Sequence, residues 1–301
     1  MLDEVQIQFD PASLDLLNGL LALMMFGAAL SVRWADFGYI ARSPKAPLIG
    51  LFCQFVLLPA ATWMLTRLLQ VEPSMALGMI LVAACPGGSF SNIMTFLSRG
   101  HLATSVSMTA VSSMAALVLT PLNFVFYASL APETRALVQS IAVEPWQLIR
   151  LVALVLVLPL VLGILVGQRY NHFAQRADKA VRWLSLLVFL IFVGIAFSRN
   201  GGLFIEYAAA FAALVVVHNM VALALGWGMA RLARLPEDQS RAVTLEVGIQ
   251  NSGLGLIIVF GFFPHLGGMM LITAFWGVWH LVSGLLISSY WARREASPVL
   301  A

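Results

Sequence analysis

The sequence predicts an all-α integral membrane protein of about nine transmembrane helices, with a repeated plan that carries two interrupted spans. Three observations lead there. Of 301 residues, 60% are hydrophobic and only 10% charged, whereas a soluble domain carries roughly 25% charged residues. The apolar residues fall into runs of helix-spanning length, at ~20 residues per crossing. The basic residues gather in alternate connections, as the positive-inside rule requires. Soluble enzymes, nucleic-acid binders and secreted disulfide scaffolds are excluded by the first observation alone. The surroundings of such a chain are a lipid bilayer.

Nine segments are marked by apolar length and by polar or Pro/Gly punctuation: 13–32, 46–69, 74–98, 101–130, 145–168, 181–199, 205–231, 239–264 and 266–291. The N-terminal MLDEVQIQFD is acidic and lacks a basic region, so the first apolar run is expected to be a retained helix rather than a cleaved signal. With the N-terminus outside, 13 of the 17 Lys and Arg residues lie in inside loops, Arg241 among them. Asp3, Glu4, Asp10, Asp15, Glu72, Glu133, Glu144 and Glu206 lie on the other side. An odd number of spans then brings the C-terminus inside. Residues 133–144 are too polar and too short to cross, and are expected at the outer surface. Cys53 and Cys85 lie in apolar stretches and read as buried free thiols.

The third span is interrupted by Cys85-Pro86-Gly87-Gly88-Ser89, and the eighth by Gly248-Ile249-Gln250-Asn251-Ser252-Gly253. They stand five helices apart, so spans 2–4 and 7–9 are expected to be inverted repeats, with spans 1, 5 and 6 as a separate panel. That gives a core of 46–130 and 205–291 and a panel of 13–32 and 145–199. Paired broken segments at matching places point to a transporter binding site. Unwound backbone survives in hydrocarbon only where it lines a cavity or packs in protein. The bland alternative is a Pro/Gly kink whose Ser and Asn side chains bond their own helix.

Glu246 is the one acid of the 14 well inside an apolar run. A carboxylate at such depth costs several kcal/mol unless paired, and no Lys or Arg lies at the same depth. Its partner is a bound cation, a proton, or a set of hydroxyl donors. The neighbouring Ser91, Asn92 and Gln250 are oxygen-bearing, which suits a hard monovalent cation. Ser105, Thr109 and Ser112 fall at i, i+4 and i+7 on one face of the fourth span and are expected to complete an oxygen cage. Small-residue packing between helices is the competing reading, and it fits Ser107 and Ser113. Gln54, just ahead of Pro59, is another intramembrane amide. His101, His172 and His265 lie at span ends or in loops; His218 and His280 lie within spans, as buried neutral imidazoles or cavity-lining groups. No His, Cys or carboxylate spacing suits a transition metal, and neither a GxSxG elbow nor a Walker loop is present.

With these residues in place, the chain resembles the bile acid:sodium symporter family over nearly its whole length. The resemblance rests on CPGGSFSNIMTFLSRGHLATSVSMT at 85–109, TLEVGIQNSGLG at 244–255, the stretch from Gln54 to Trp63, and WHLVSG at 279–284. It implies a core of two crossed, broken helices that moves against a panel. It implies a first sodium site of Ser91, Asn92, Ser105, Thr109 and Glu246. A second would use Gln54, Glu246 and Gln250 with the backbone oxygens of Val247 and Ile249. The substrate anion would lie near Ser89, Phe90, Asn251 and His280. No cofactor is implied beyond two sodium ions as coupling ions. The implied substrates run from bile acids to small carboxylates, and the implied location is a bacterial cytoplasmic membrane. Three features depart from the bacterial pattern: nine helices rather than ten, Leu281 where an Asn often follows the WH pair, and the bulky Phe90 beside the first break. Oligomeric state has no sequence signature here. An intramembrane hydrolase using Ser89 or Ser91 with His280, or a non-transporting sensor, would be the reading from another class.

Overall fold

A computed structural model describes residues 41–140, 145–170 and 201–294, with single positions between 19 and 38 and between 172 and 191. The expected first and sixth spans, 13–32 and 181–199, therefore lie largely outside the described residues. The described chain is helical throughout: α1 Lys45–Leu68, α2 Pro73–Ala84, α3 Phe90–Leu97, α4 Leu102–Ser129, α5 Pro132–Ser140, α6 Trp146–Arg169, α7 Gly201–Leu232, α8 Glu237–Gly248, α9 Ser252–Phe262 and α10 Gly267–Ala292. Among the described residues five helices, α1, α4, α6, α7 and α10, are long and apolar enough to cross a membrane. The pairs α2/α3 and α8/α9 are the two interrupted spans. The short α5 takes up the polar stretch expected at the surface.

The outward faces explain why this is a membrane fold. Val118, Leu122 and Phe126 form an exposed stripe at i, i+4, i+8 on α4, and Leu154, Leu158, Leu162 and Leu165 another on α6. Inside, Thr62, Ser91, Ser105, Glu246, Gln250 and His280 are buried. Water would reverse both preferences; hydrocarbon outside and a polar site within account for them.

Two turns of wider π-helix interrupt the long helices, Cys53–Leu57 in α1 and Ala153–Val157 in α6. Each ends shortly before a proline, Pro59 or Pro159. Proline has no N–H to offer the carbonyl four residues earlier, and the Phe55 carbonyl that Pro59 leaves free accepts instead from Asn123 Nδ2 of α4 at 2.9 Å.

Packing falls into two large apolar clusters. One joins α2, α4, α9 and α10 to α6 through Leu81, Phe124, Phe260 and Met269 against Leu148 and Leu156. The other joins α1, α2, α7, α8 and α10 through Leu58, Met79, Val215, Val247 and Trp276. Of the elements that carry the two breaks, α2, α8 and α9 share these clusters, while α3 packs separately through Met94 against Leu245 and Ile249.

The structure corrects the sequence reading at Arg241. Expected in an inside loop, it lies within α8 and is 2% exposed. Its guanidinium donates to the Ser98 carbonyl at 2.7 Å and to Glu237 at 3.3 Å, and stands 5.8 Å from the Trp291 ring. A positive charge at the C-terminal end of α3 is favourable to that helix's dipole.

Candidate cation-binding site

The two breaks meet. After α2, Cys85 is extended (φ −69°, ψ 154°), and after α8, Ile249 is extended (φ −114°, ψ 93°). The unwound strands run antiparallel and pair: Gly88 N–H donates to the Ile249 carbonyl at 2.7 Å and Asn251 N–H to the Pro86 carbonyl at 2.8 Å, with Gly87 opposite Gln250. Side chains from neighbouring helices take the carbonyls at the ends of the first half-helices. Thr120 Oγ1 donates to the Ala84 oxygen at 2.7 Å, and Asn219 Nδ2 to the Gly248 oxygen at 2.8 Å. The unsatisfied groups of each break are thus largely met by the other break and by two polar side chains, which is what makes the break tolerable at membrane depth. The break is narrower than expected on the second side: of Gly248–Gly253, Gly248 remains in α8 and Ser252 and Gly253 already belong to α9.

The Gly-Gly pair in the first break follows from this close approach. A β-carbon on Gly87 would overlap Glu246 Oε1, with Cδ at 2.8 Å, and one on Gly88 would stand 2.9 Å from the Gln250 carbonyl oxygen.

Glu246 is fully buried, and three hydroxyls converge on it. Ser91 donates to Oε2 at 2.5 Å, Ser105 to Oε2 at 3.3 Å and Thr109 to Oε1 at 2.8 Å. Asn92 Oδ1 is the alternative acceptor for the single proton of Ser105, at 2.8 Å, and of Thr109, at 3.3 Å. These are the five side chains of the expected first sodium site, drawn from α3, α4 and α8. Among the described residues no Lys, Arg or His nitrogen bonds this carboxylate, and no cluster of three His, Cys, Asp or Glu groups is present. One negative charge among hydroxyl and amide oxygens is the donor set of a hard cation rather than of zinc or copper.

Ser112 does not join them. It donates to the Thr109 carbonyl of its own helix at 3.1 Å, and Ser107 likewise to Ala103 at 2.7 Å. Thr95 does join, donating to Ser105 Oγ at 3.2 Å; the sequence reading passed over it. Asn219 was also passed over, although an amide inside the apolar run VVVHNM is the same signal that singled out Gln54.

The residues of the expected second site lie on the other side of the crossing. Gln54, on the π-helical turn of α1, donates from Nε2 to Gln250 Oε1 at 3.1 Å and to the Cys85 carbonyl at 3.4 Å. Gln250 Nε2 donates to the Val247 carbonyl at 2.7 Å. Gln54 Oε1 is buried without a donor among the described residues, an oxygen suited to a cation. The Val247 and Ile249 carbonyls are hydrogen-bonded within the protein, and the Glu246 carboxylate turns toward the hydroxyl cluster.

The four expected substrate residues are only partly gathered. Ser89 precedes α3 without a side-chain cap bond. Phe90 packs beside Met94, Leu245 and Ile249, in the same cluster as Leu281. Asn251 caps α9, its Oδ1 accepting from Leu254 N–H at 3.0 Å, while its Nδ2 lies 3.4 Å from Met25 Sδ. His280 is buried on α10, one turn before Gly284, which lies against Ile249. No hydrogen bond joins His280 to the other three among the described residues. His218 has the plainer role, bonding Thr62 Oγ1 at 2.7 Å and lying 4.6 Å from the Trp276 ring. Cys53 and Cys85 are buried and free.

Comparison with known proteins adds to this geometry. A family model described as the sodium bile acid symporter family matches residues 19–207. A Bacillus subtilis protein named as a sodium-dependent transporter, YocS, is 30% identical over 274 residues, 91% of this chain and 82% of that protein. Sodium/bile acid cotransporter 4 of Mus musculus is 30% identical over 290 residues, 92% of this chain and 65% of that protein. A sodium/metabolite cotransporter of the Oryza sativa chloroplast is 29% identical over 273 residues, 90% of this chain and 64% of that protein. The chain thus spans a little under two thirds of the length of the mouse and rice proteins.

Proposed function

This chain belongs to the sodium bile acid symporter family, and from that premise we propose that it is a sodium-coupled symporter of an organic anion. Sodium is here a transported co-substrate, two ions to each anion. One observation carries the reading: the fully buried Glu246 carboxylate is met by three hydroxyls and no cationic side chain among the described residues. On sodium entry, the Ser91, Ser105 and Thr109 hydroxyls rotate, turning lone pairs instead of hydrogens inward. Asn92 Oδ1 completes the first site. Gln54, Gln250, Glu246 and the backbone oxygens of Val247 and Ile249 form the second.

The substrate carboxylate is received at the N-terminal ends of α3 and α9, near Ser89, Phe90, Asn251 and His280, where half-helix dipoles favour an anion. Phe90 and Leu281 narrow and de-polarise that end, which favours a small organic acid such as a pantoate-like or 2-keto acid over a bile acid. The core of 46–130 and 205–291 then moves against the panel of 13–32 and 145–199 to expose the site to either side. Two sodium ions with a monoanion carry one net charge inward, so a membrane potential contributes ~2.3 kcal/mol per 100 mV. The membrane is the cytoplasmic membrane of a bacterial cell, with the N-terminus outside and the C-terminus inside.

The test is thermal stability of the purified protein in detergent, with sodium exchanged for potassium or choline at constant ionic strength. The expected result is a selective rise in melting temperature with sodium that is lost in Glu246→Ala. In proteoliposomes, Glu246→Ala and Gln250→Ala are expected to abolish sodium-driven uptake while the protein still inserts. Uptake driven by a proton gradient in the absence of sodium would replace the sodium reading with proton coupling.

A further inference from the structure

Asn219 stands on α7 where that helix crosses the end of α8, and it is fully buried. Its Nδ2 donates to the Gly248 carbonyl, the last of the α8 helix, at 2.8 Å. The two helices approach closely here. A β-carbon on Gly248 would run into the Leu223 side chain, and one on Gly226 would stand 2.9 Å from Thr244 Cα. That approach is what lets so short a side chain reach a carbonyl on the neighbouring helix.

The other end of the amide is the informative one. Asn219 Oδ1 is buried and has no donor among the described residues. A buried polar atom without a partner costs about 1–3 kcal/mol; a leucine would fill the same volume and remove that cost, but would leave the Gly248 carbonyl without its donor. Packing alone does not account for an amide at this place. Gly248 lies between Val247 and Ile249, and the Val247 carbonyl is already engaged by Gln250, the Ile249 carbonyl by Gly88. Asn219 is the side chain from outside the break that completes the set.

We propose that Asn219 is a positioning residue for cation binding: by holding the Gly248 carbonyl it fixes the peptide planes on either side, whose oxygens face the second ion. The proposal rests on the sodium reading given above. Its neighbour His218 turns the other way, to Thr62 of α1 and Trp276 of α10, and supplies a control on the same helix.

The experiment compares sodium titrations of thermal stability, against choline at constant ionic strength, for the wild type, Asn219→Leu, Asn219→Ser and Thr62→Val. Serine is too short to reach Gly248. Thr62→Val breaks the His218 bond without touching Gly248. The expected result is a rise of about tenfold in the sodium midpoint for both Asn219 variants, equivalent to ~1.4 kcal/mol, and an unchanged midpoint in Thr62→Val, whose sodium-free melting temperature falls. Asn219 variants that melt lower without sodium but keep the wild-type midpoint would overturn the proposal, making the residue structural only. An equal rise in Thr62→Val would also overturn it, since the effect would then belong to α7 packing in general. Should Asn219→Leu not fold, Asn219→Ser carries the comparison. A wild type with no sodium-selective stabilisation would instead refute the sodium reading itself, and the positioning role would fall with it.

Discussion

Gly87→Ala is the sharpest probe of the crossing. A β-carbon there meets Glu246 Cδ at 2.8 Å and Oε1 closer still, against the roughly 3.5 Å at which carbon atoms come into favourable contact. The carboxylate must retreat by roughly 0.7 Å at Cδ and by more at Oε1, and it has nowhere to go without disturbing its donors. Thr109 holds Oε1 at 2.8 Å and Ser91 holds Oε2 at 2.5 Å. On sodium entry those hydroxyls turn their lone pairs to the ion, so the loss is that of the charged ligand displaced from its oxygen cage, and the sodium midpoint is expected to rise by about tenfold, equivalent to ~1.4 kcal/mol. The assay is the sodium titration of thermal stability, with Gly228→Ala as the control. Gly228, on α7, has nothing within 4 Å of a built β-carbon, and alanine in a helix interior gains about 0.5–1 kcal/mol over glycine. Gly228→Ala should therefore raise the sodium-free melting temperature and leave the sodium midpoint unchanged, whereas the chemically identical Gly87→Ala raises the midpoint. A Gly87→Ala protein that binds sodium at the wild-type midpoint would refute the reasoning, because the carboxylate would then not be held where its hydroxyl partners place it.

Two further outcomes follow from the same hydrogen-bond accounting. Thr120→Val removes the donor to the Ala84 carbonyl and is expected to destabilise the protein by about 1–3 kcal/mol in a denaturant titration in detergent; a change near zero would mean that another donor replaces it. Arg67→Ala breaks the 3.4 Å ion pair with Glu133, both side chains being about half exposed, and should cost under ~1 kcal/mol and vanish at high salt, as a melting series over ionic strength would show.

Much of the site was legible because a membrane makes polar residues conspicuous. Glu246, Gln54 and Gln250 stand out where almost every neighbour is apolar, and the hydroxyls of Ser105 and Thr109 lie four residues apart on one helical face. Where the reading failed, the signal was local and the cause was distant. Ser112 fits the same face as Ser105 and Thr109, yet its hydroxyl has a carbonyl of its own helix in reach and takes it. Arg241, near the start of a span, has the look of a loop residue. Its burial depends on the Ser98 carbonyl, 143 residues away in the chain.

The sequence by itself determined the helical class, the positions of the two breaks and the acid that is buried among the described residues, since each is a matter of composition and local pattern. Only the tertiary structure decided what the breaks do. The pairing of Gly87 with Gln250, the capping of Ala84 by Thr120 and of Gly248 by Asn219, and the convergence of three helices on Glu246 are long-range events. The physical reason is that an unwound backbone in hydrocarbon must find partners somewhere. A sequence shows that the need exists, and only the packed fold shows which groups meet it.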